Sequence, residues 1–314
     1  MMDTTKELIE ALANGEETQV ANLARSLAEG AAANPPALYH TLNLLGYYDR
    51  LALINDVMAL AWPQVQAAGT FAKAAVQAYA GRATDHLLYA YLEEKAEADA
   101  QLADAQVADA HDPALQERLE RYFPVDAERL QAYLGLLAGR LGRRWRSEDF
   151  AELDTQKLQG LMLEFLGYAY RQGVPYARGH LVREHLPRYF LDRKAGNLYP
   201  KEDVGALLRS GRRPRTVAVE PEFPLLPDEA TLENFLQKMG QTVTPEPYVI
   251  AALLSLLPTW LHFLEERQLI TSAQRENTLP EVETVRAHLR PLLASFADPA
   301  LARHKPGNET AGGI

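Results

Sequence analysis

The sequence predicts an all-α protein, either a multi-helical bundle or an irregular α-solenoid. Apolar residues recur at spacings of three and four over most of the chain, which is the period of a helix with one buried face. Helix-capping residues precede several of these stripes, and no Asn-Gly or Asp-Gly hairpin turn lies between alternating apolar runs. The 314 residues, 47% hydrophobic and 24% charged, are enough to bury a sizeable core.

The first segment, residues 1–112, is predicted to be an acidic helical lobe. Thr4 and Glu7 have the spacing of a capping box ahead of an apolar stripe. The stretch from 83 to 108 begins with large apolar residues and becomes rich in alanine and acidic residues, which is typical of a solvated helix. The segment His111–Pro113 marks its end.

The second segment, residues 113–209, is predicted to be a helical, arginine-rich middle. Asp126 can cap one leucine-rich helix. Ser147 can cap the next helix, with acidic residues in its first turn, and Gly173 and Pro175 end that helix.

Residues 210–227 contain four prolines and predict an irregular connector, because proline lacks a backbone donor and clashes within a helix. A C-terminal helical unit follows at 228–297. Its expected helices start at Asp228, at Thr244 and at a capping box that begins with Thr278, and the second should end or kink at Pro258. Residues 298–314 are expected to form a disordered tail.

One stretch, residues 248–264, contains no charged residue. It is at the lower limit for a bilayer span, but Glu246 precedes it and Glu265 and Glu266 follow it, without a cationic excess. We therefore expect a buried core helix or helix pair, and no membrane association. The chain has no cysteine, and its N-terminus lacks the pattern of a signal peptide, so we expect a cytoplasmic protein.

The charges are strongly segregated along the chain. Residues 1–139 carry 9 Lys or Arg against 20 Asp or Glu, residues 140–216 carry 16 against 9, and residues 217–314 carry 7 against 13. A basic middle between two acidic ends can attract an anionic partner while the net charge of −10 keeps the protein soluble.

Arginine dominates this basic middle, since only three of its 16 cations are lysines. Arginine offers a planar fork to carboxylates and phosphates, and nearby aromatic rings can stack on bases. The candidate partner-binding or anion-binding residues are Arg143, Arg144, Arg146, Arg178, Arg183, Arg188, Arg212, Arg213 and Arg215. Three readings stay open: pairing with the chain's own acidic residues, binding of an acidic protein segment, and binding of nucleic acid or another phosphate ligand. A pI near 5.4 disfavours a dedicated nucleic-acid binder.

Residues 35–63 carry Gly46, Tyr48, Leu51, Met58 and Pro63 at spacings that resemble half of a tetratricopeptide repeat. Pro35, Tyr39 and Asn55 depart from that family's pattern, and no second copy follows at a 34-residue offset. The resemblance implies a helical repeat with a protein-interaction surface and no chemistry of its own.

Catalytic and metal motifs are weakly supported. His180 and His185 are five residues apart, which places them about 140° apart on a helix, whereas a zinc helix needs ligands four apart. His262 lies among large apolar residues and is expected in the core or in a groove, and Glu164 is the one carboxylate within a dense apolar run. We expect no cofactor and no metal. The favoured hypothesis is a non-enzymatic protein-interaction module that binds an acidic segment. The alternative is a phosphate or nucleic-acid binder, and the third hypothesis is an enzyme without a linear motif.

Overall fold

The computed structural model describes residues 2–30, 35–67, 113, 117, 145–199, 223–242, 245–296, 298 and 300–303. The all-α prediction is confirmed, because the regular structure of this part of the chain is helical throughout. The helices are α1 (Met2–Asn14), α2 (Glu17–Glu29), α3 (Pro35–Tyr47), α4 (Leu51–Ala67), α5 (Thr155–Arg171), α6 (Tyr176–Val182), α7 (His185–Lys194), α8 (Glu229–Gly240), α9 (Pro247–Glu266), α10 (Ser272–Ala294) and α11 (Ala300–Arg303). A 3-10 turn, Ser147–Phe150, precedes α5.

Helix α9 is the centre of the fold, with α3, α5, α6, α8, α10 and α11 packed around it. It corresponds to the uncharged stretch of the sequence and is buried on nearly all sides. Trp260 lies edge-on to Phe165 of α5, with ring centroids 5.1 Å apart. Among the described helices α9 is the one long and apolar enough to cross a bilayer, but 83% of its most apolar window is buried inside the protein. The predicted core helix is therefore confirmed, and it runs through Pro258 without ending there.

Helices α1 to α4 pack on one another, with α2 against α1 and α4, and α3 connects them to α6 and α9. The stretch that resembles a tetratricopeptide unit forms α3, a turn and α4, and Pro63 lies inside α4. A Cβ on Gly46 would lie 3.4 Å from both the Ala177 carbonyl oxygen and a Leu181 methyl carbon, so this glycine permits the close approach of α3 and α6. The repeat itself stays a prediction.

Four predicted helix starts are placed differently. Helix α1 starts at Met2, so Thr4 lies within the helix and does not cap it. The helix predicted from Ser147 is interrupted after the 3-10 turn, and α5 starts anew because the Asp154 carboxylate accepts the Lys157 N–H at 2.7 Å. Helix α10 starts after Thr271, whose side chain accepts the Gln274 N–H at 3.2 Å, so Thr278 lies within the helix. Helix α9 starts at Pro247. The start at Asp228 is confirmed, since its carboxylate accepts the Thr231 N–H at 3.0 Å.

The buried apolar side chains of the described helices form one contiguous core that extends from Leu8 to Leu301. The end of the predicted connector, residues 223–227, is irregular but firmly packed: Leu225 is fully buried, and its carbonyl accepts the Trp260 indole N–H at 3.1 Å. The boundaries expected at 112 and at 210 lie outside the described residues. Asp298, at the predicted start of the tail, is buried and is followed by α11.

Candidate functional site

The nine candidate arginines do not share one environment. Arg143, Arg144, Arg212, Arg213 and Arg215 lie outside the described residues. Arg146 is exposed beside the 3-10 turn, and Arg183 is half-buried just after α6. The remaining two, Arg178 and Arg188, have opposite roles.

Arg178 is an internal link between the acidic N-terminal helices and the basic middle. Its guanidinium donates to the Tyr47 carbonyl oxygen at 3.0 Å and 3.2 Å and to the Asp49 carboxylate at 2.8 Å. It also lies over the Tyr47 ring, 5.4 Å from the centroid. Arg178 thus pairs with an acidic residue of the same chain, which is the first of the three hypotheses for the basic middle. It is therefore poorly placed to bind a partner.

Asp49 occupies the turn between α3 and α4 with a φ of 60°. Burial raises the pKa of its carboxyl to about 6, although Arg178 and Arg50 oppose that rise. Its second oxygen, Oδ1, is buried without a hydrogen-bond partner among the described residues. Desolvation therefore outweighs attraction at this ion pair.

Arg193 of α7 is also internal, with a side chain only 1% exposed. Its guanidinium binds the end of the connector through the carbonyl oxygens of Phe223 (3.2 Å), Pro224 (2.6 Å) and Leu226, and through Asp228 Oδ2 (3.3 Å). It lies 5.6 Å from the ring centroids of both Tyr189 and Phe190. A second cation of the basic middle is thus part of the scaffold.

Arg188, in contrast, lies on the outer face of α7 with its side chain 71% exposed. It lines a half-open cleft of about 400 Å³ between α7 and α8, which the loop before α9 closes at one end. The lining residues are His185, Arg188, Asp192, Asn197, Leu198, Phe235, Lys238, Met239, Thr242 and Glu246. Of the arginines proposed from the sequence that the structure describes, Arg188 is the one that lines this cleft.

The cleft has an apolar floor and a charged rim. Leu198, Phe235 and Met239 form the floor. On the rim, Arg188 Nε lies 3.5 Å from Asp192 Oδ2, and Lys238 Nζ donates to the Asn197 carbonyl oxygen at 3.2 Å.

His185 of α7 and Glu246 also line the cleft, and His185 Nε2 lies 3.6 Å from Glu246 Oε2. His185 is mostly buried in this cleft, with its side chain 17% exposed. Such a site offers two cationic contacts beside an apolar surface.

A second polar cluster surrounds Asp298, which is buried. The Tyr48 hydroxyl donates to both oxygens of Asp298, at 2.9 Å and 3.0 Å, and the Ala300 N–H donates to Oδ1 at 2.8 Å. Burial raises the pKa values of Tyr48 and Tyr248, and Asp298 adds to both shifts. These shifts favour the neutral tyrosines, and the Tyr48 hydroxyl and the Ala300 N–H together hold Asp298 and the segment before α11 in place.

Two further residues that the sequence singled out are His262 and Glu164. His262 points outward, with its side chain 60% exposed and Nδ1 3.6 Å from Glu265, so the prediction of a core or groove histidine is wrong. Glu164 accepts the Trp145 indole N–H at 2.8 Å, and burial raises the pKa of its carboxyl. Glu164 therefore supports the packing of Trp145.

Phe235, Lys238 and Glu246 are among the cleft residues that sequence reasoning did not propose. They carry no linear motif, and they meet α7 through packing across more than 40 residues of chain. Comparison with protein-family models, curated proteins and solved structures finds no match for this chain.

Proposed function

We propose that this chain is a helical protein-interaction module that binds an acidic, partly apolar peptide segment in the cleft between α7 and α8. The observation that carries the proposal is the combination of an apolar floor with one exposed cation on each flanking helix, Arg188 on α7 and Lys238 on α8. Apolar anchors in a pocket with charged groups at the margin are typical of peptide-binding sites.

The cations on the rim are available to a ligand. Arg188 and Asp192 are four residues apart on one helix, and exposed pairs of this kind contribute about 0.5 kcal/mol or less. A ligand carboxylate can therefore displace Asp192 at little cost. Lys238 uses one of its three donors on the Asn197 carbonyl oxygen, which leaves two for a ligand.

The same features favour a peptide over a nucleic acid. Backbone-directed nucleic-acid binding uses a series of cations along the phosphates, with exposed aromatic rings for the bases. This cleft has two cations, two carboxylates and a floor whose one aromatic residue, Phe235, is almost fully buried. The phosphate-binding alternative therefore depends on the five arginines outside the described residues.

The test is fluorescence anisotropy with two labelled probes, a short peptide of glutamates and leucines at helical spacing and a single-stranded oligothymidylate. The variants are Arg188→Ser with Lys238→Ser, and as a matched control Arg146→Ser, an exposed arginine that does not line the cleft. Charge-assisted hydrogen bonds contribute about 1.5–3 kcal/mol each, so the double variant should bind the peptide at least about tenfold more weakly. Arg146→Ser should bind it like the wild type.

Two outcomes would contradict the proposal. Equal peptide binding by the wild type and the double variant would exclude the cleft. Tight binding of the oligonucleotide with a steep fall as salt increases, together with no binding of the peptide, would instead support the phosphate-binding alternative.

A further inference from the structure

Helices α8 and α10 bring three metal-ligating side chains together on the surface away from the core. Glu229 and Glu233 are four residues apart on α8, and His288 faces them from α10. One ligand atom from each lies within 4.8 Å of the others. His288 Nδ1 and Glu233 Oε2 are 3.1 Å apart.

These separations suit a first-row divalent cation. In a tetrahedral zinc site, zinc–nitrogen and zinc–oxygen bonds of about 2.0–2.2 Å place any two ligand atoms about 3.3–3.6 Å apart. The His288 Nδ1–Glu233 Oε2 distance of 3.1 Å is already close to this value. The Glu229 ligand atom lies within 4.8 Å of the other two, so Glu229 must move toward them for all three to share one ion.

The electrostatics of the cluster also favour a cation. Like charges four apart on a helix repel each other, so Glu229 and Glu233 destabilise α8 when both are ionised. A third carboxylate, Glu281 of α10, approaches the same end of α8 and accepts the Glu229 N–H at 3.0 Å. Within the part of the chain that the structure describes, neither Glu229 nor Glu233 forms an ion pair with a lysine or an arginine.

We propose that Glu229, Glu233 and His288 bind a divalent transition-metal ion of the zinc class. The imidazole ligand favours zinc over magnesium or calcium, which prefer oxygen ligands alone. Three protein ligands leave room for water on the exposed side, and the ion ties the start of α8 to α10. This inference is independent of the peptide-binding proposal, since none of the three ligands lines the cleft.

The test is calorimetric titration of the chelator-treated full chain with zinc chloride near neutral pH, accompanied by thermal melting. Glu233→Gln and His288→Gln each remove one ligand from a solvent-accessible position and should leave the fold intact, as circular dichroism will show. The matched control is His262→Gln, because His262 is an equally exposed histidine beside one carboxylate, Glu265. The wild type and His262→Gln should each bind one equivalent of zinc, whereas Glu233→Gln and His288→Gln should bind zinc at least about tenfold more weakly. Zinc should raise the melting temperature of the wild type and of His262→Gln, and should not raise that of Glu233→Gln or His288→Gln.

Equal zinc affinity and equal thermal shifts in the wild type, Glu233→Gln and His288→Gln would overturn the assignment, as would the absence of saturable binding to the wild type. A loss of binding in His262→Gln, with binding retained in His288→Gln, would place the ion elsewhere and also refute it.

Discussion

Replacing the buried Arg193 with methionine tests whether the basic middle of this chain acts as scaffold. Methionine keeps most of the side-chain volume but donates no hydrogen bond. Three carbonyl oxygens of residues 223–226 and the Asp228 carboxylate then lose a donor. The connector between α7 and α8 should loosen as a result.

The cost follows from these contacts. Removing one partner of a buried charged network costs about 3–5 kcal/mol, and the two cation–π contacts contribute about 0.5–1 kcal/mol each. Methionine recovers part of this loss by burying apolar surface. We therefore expect Arg193→Met to lower the free energy of unfolding by about 3–5 kcal/mol, a large fraction of the 5–15 kcal/mol typical of a folded protein.

Arg188→Met is the matched control, because Arg188 lies on the same helix five residues earlier but is mostly exposed. It should change stability by about 0.5 kcal/mol or less. Urea denaturation followed by far-UV circular dichroism measures both variants, and chymotrypsin cleavage after Phe223 reports locally on the connector. If the free energies of unfolding of Arg193→Met and Arg188→Met differ by less than about 1 kcal/mol, and chymotrypsin cleaves Arg193→Met no faster, the scaffold interpretation is refuted.

Two further predictions concern the turn after α3 and the segment before α11. Burial raises the pKa of Asp49 from about 3.8 to about 6, so the native state binds more protons than the unfolded state between these pH values. The free energy of unfolding should therefore fall by about 1–3 kcal/mol as the pH rises from about 4 to about 6. Asparagine tolerates the positive φ at this position, so Asp49→Asn should reduce the dependence of unfolding free energy on pH in this range, as measured by urea denaturation. The control Asp56→Asn, at an exposed aspartate, should not change it. An unchanged pH dependence in Asp49→Asn would show that another group is responsible. Tyr48→Phe removes the hydroxyl that donates to the buried Asp298, so it should lower the free energy of unfolding by about 1–3 kcal/mol. It should also speed hydrogen exchange in Ala300–Arg303. An exchange rate equal to that of the wild type would mean that Asp298 does not hold this segment.

Local features of this protein were largely readable from its sequence. Helical periodicity and the absence of charge between residues 248 and 264 predicted the central helix, because a helix that is apolar all round must be buried. Asp228 predicted the start of α8, since a short carboxylate before an apolar stripe can accept the free N–H groups of the first turn. The connector prediction can be compared only at residues 223–227, where Pro224 and Pro227 lie in irregular backbone before α8, because the rest of residues 210–227 lies outside the described part of the chain.

The tertiary structure decided which polar residues are buried. Arg188 and Arg193 lie on one helix, yet one lines an open cleft and the other is enclosed. The difference depends on carbonyl oxygens some 30 residues away, which no local pattern reveals. The same holds for Glu233 and His288, which are 55 residues apart in sequence and 3.1 Å apart in space. A charge can be buried or paired only where distant segments supply its partners, so periodicity determines the helices and their packing determines the sites.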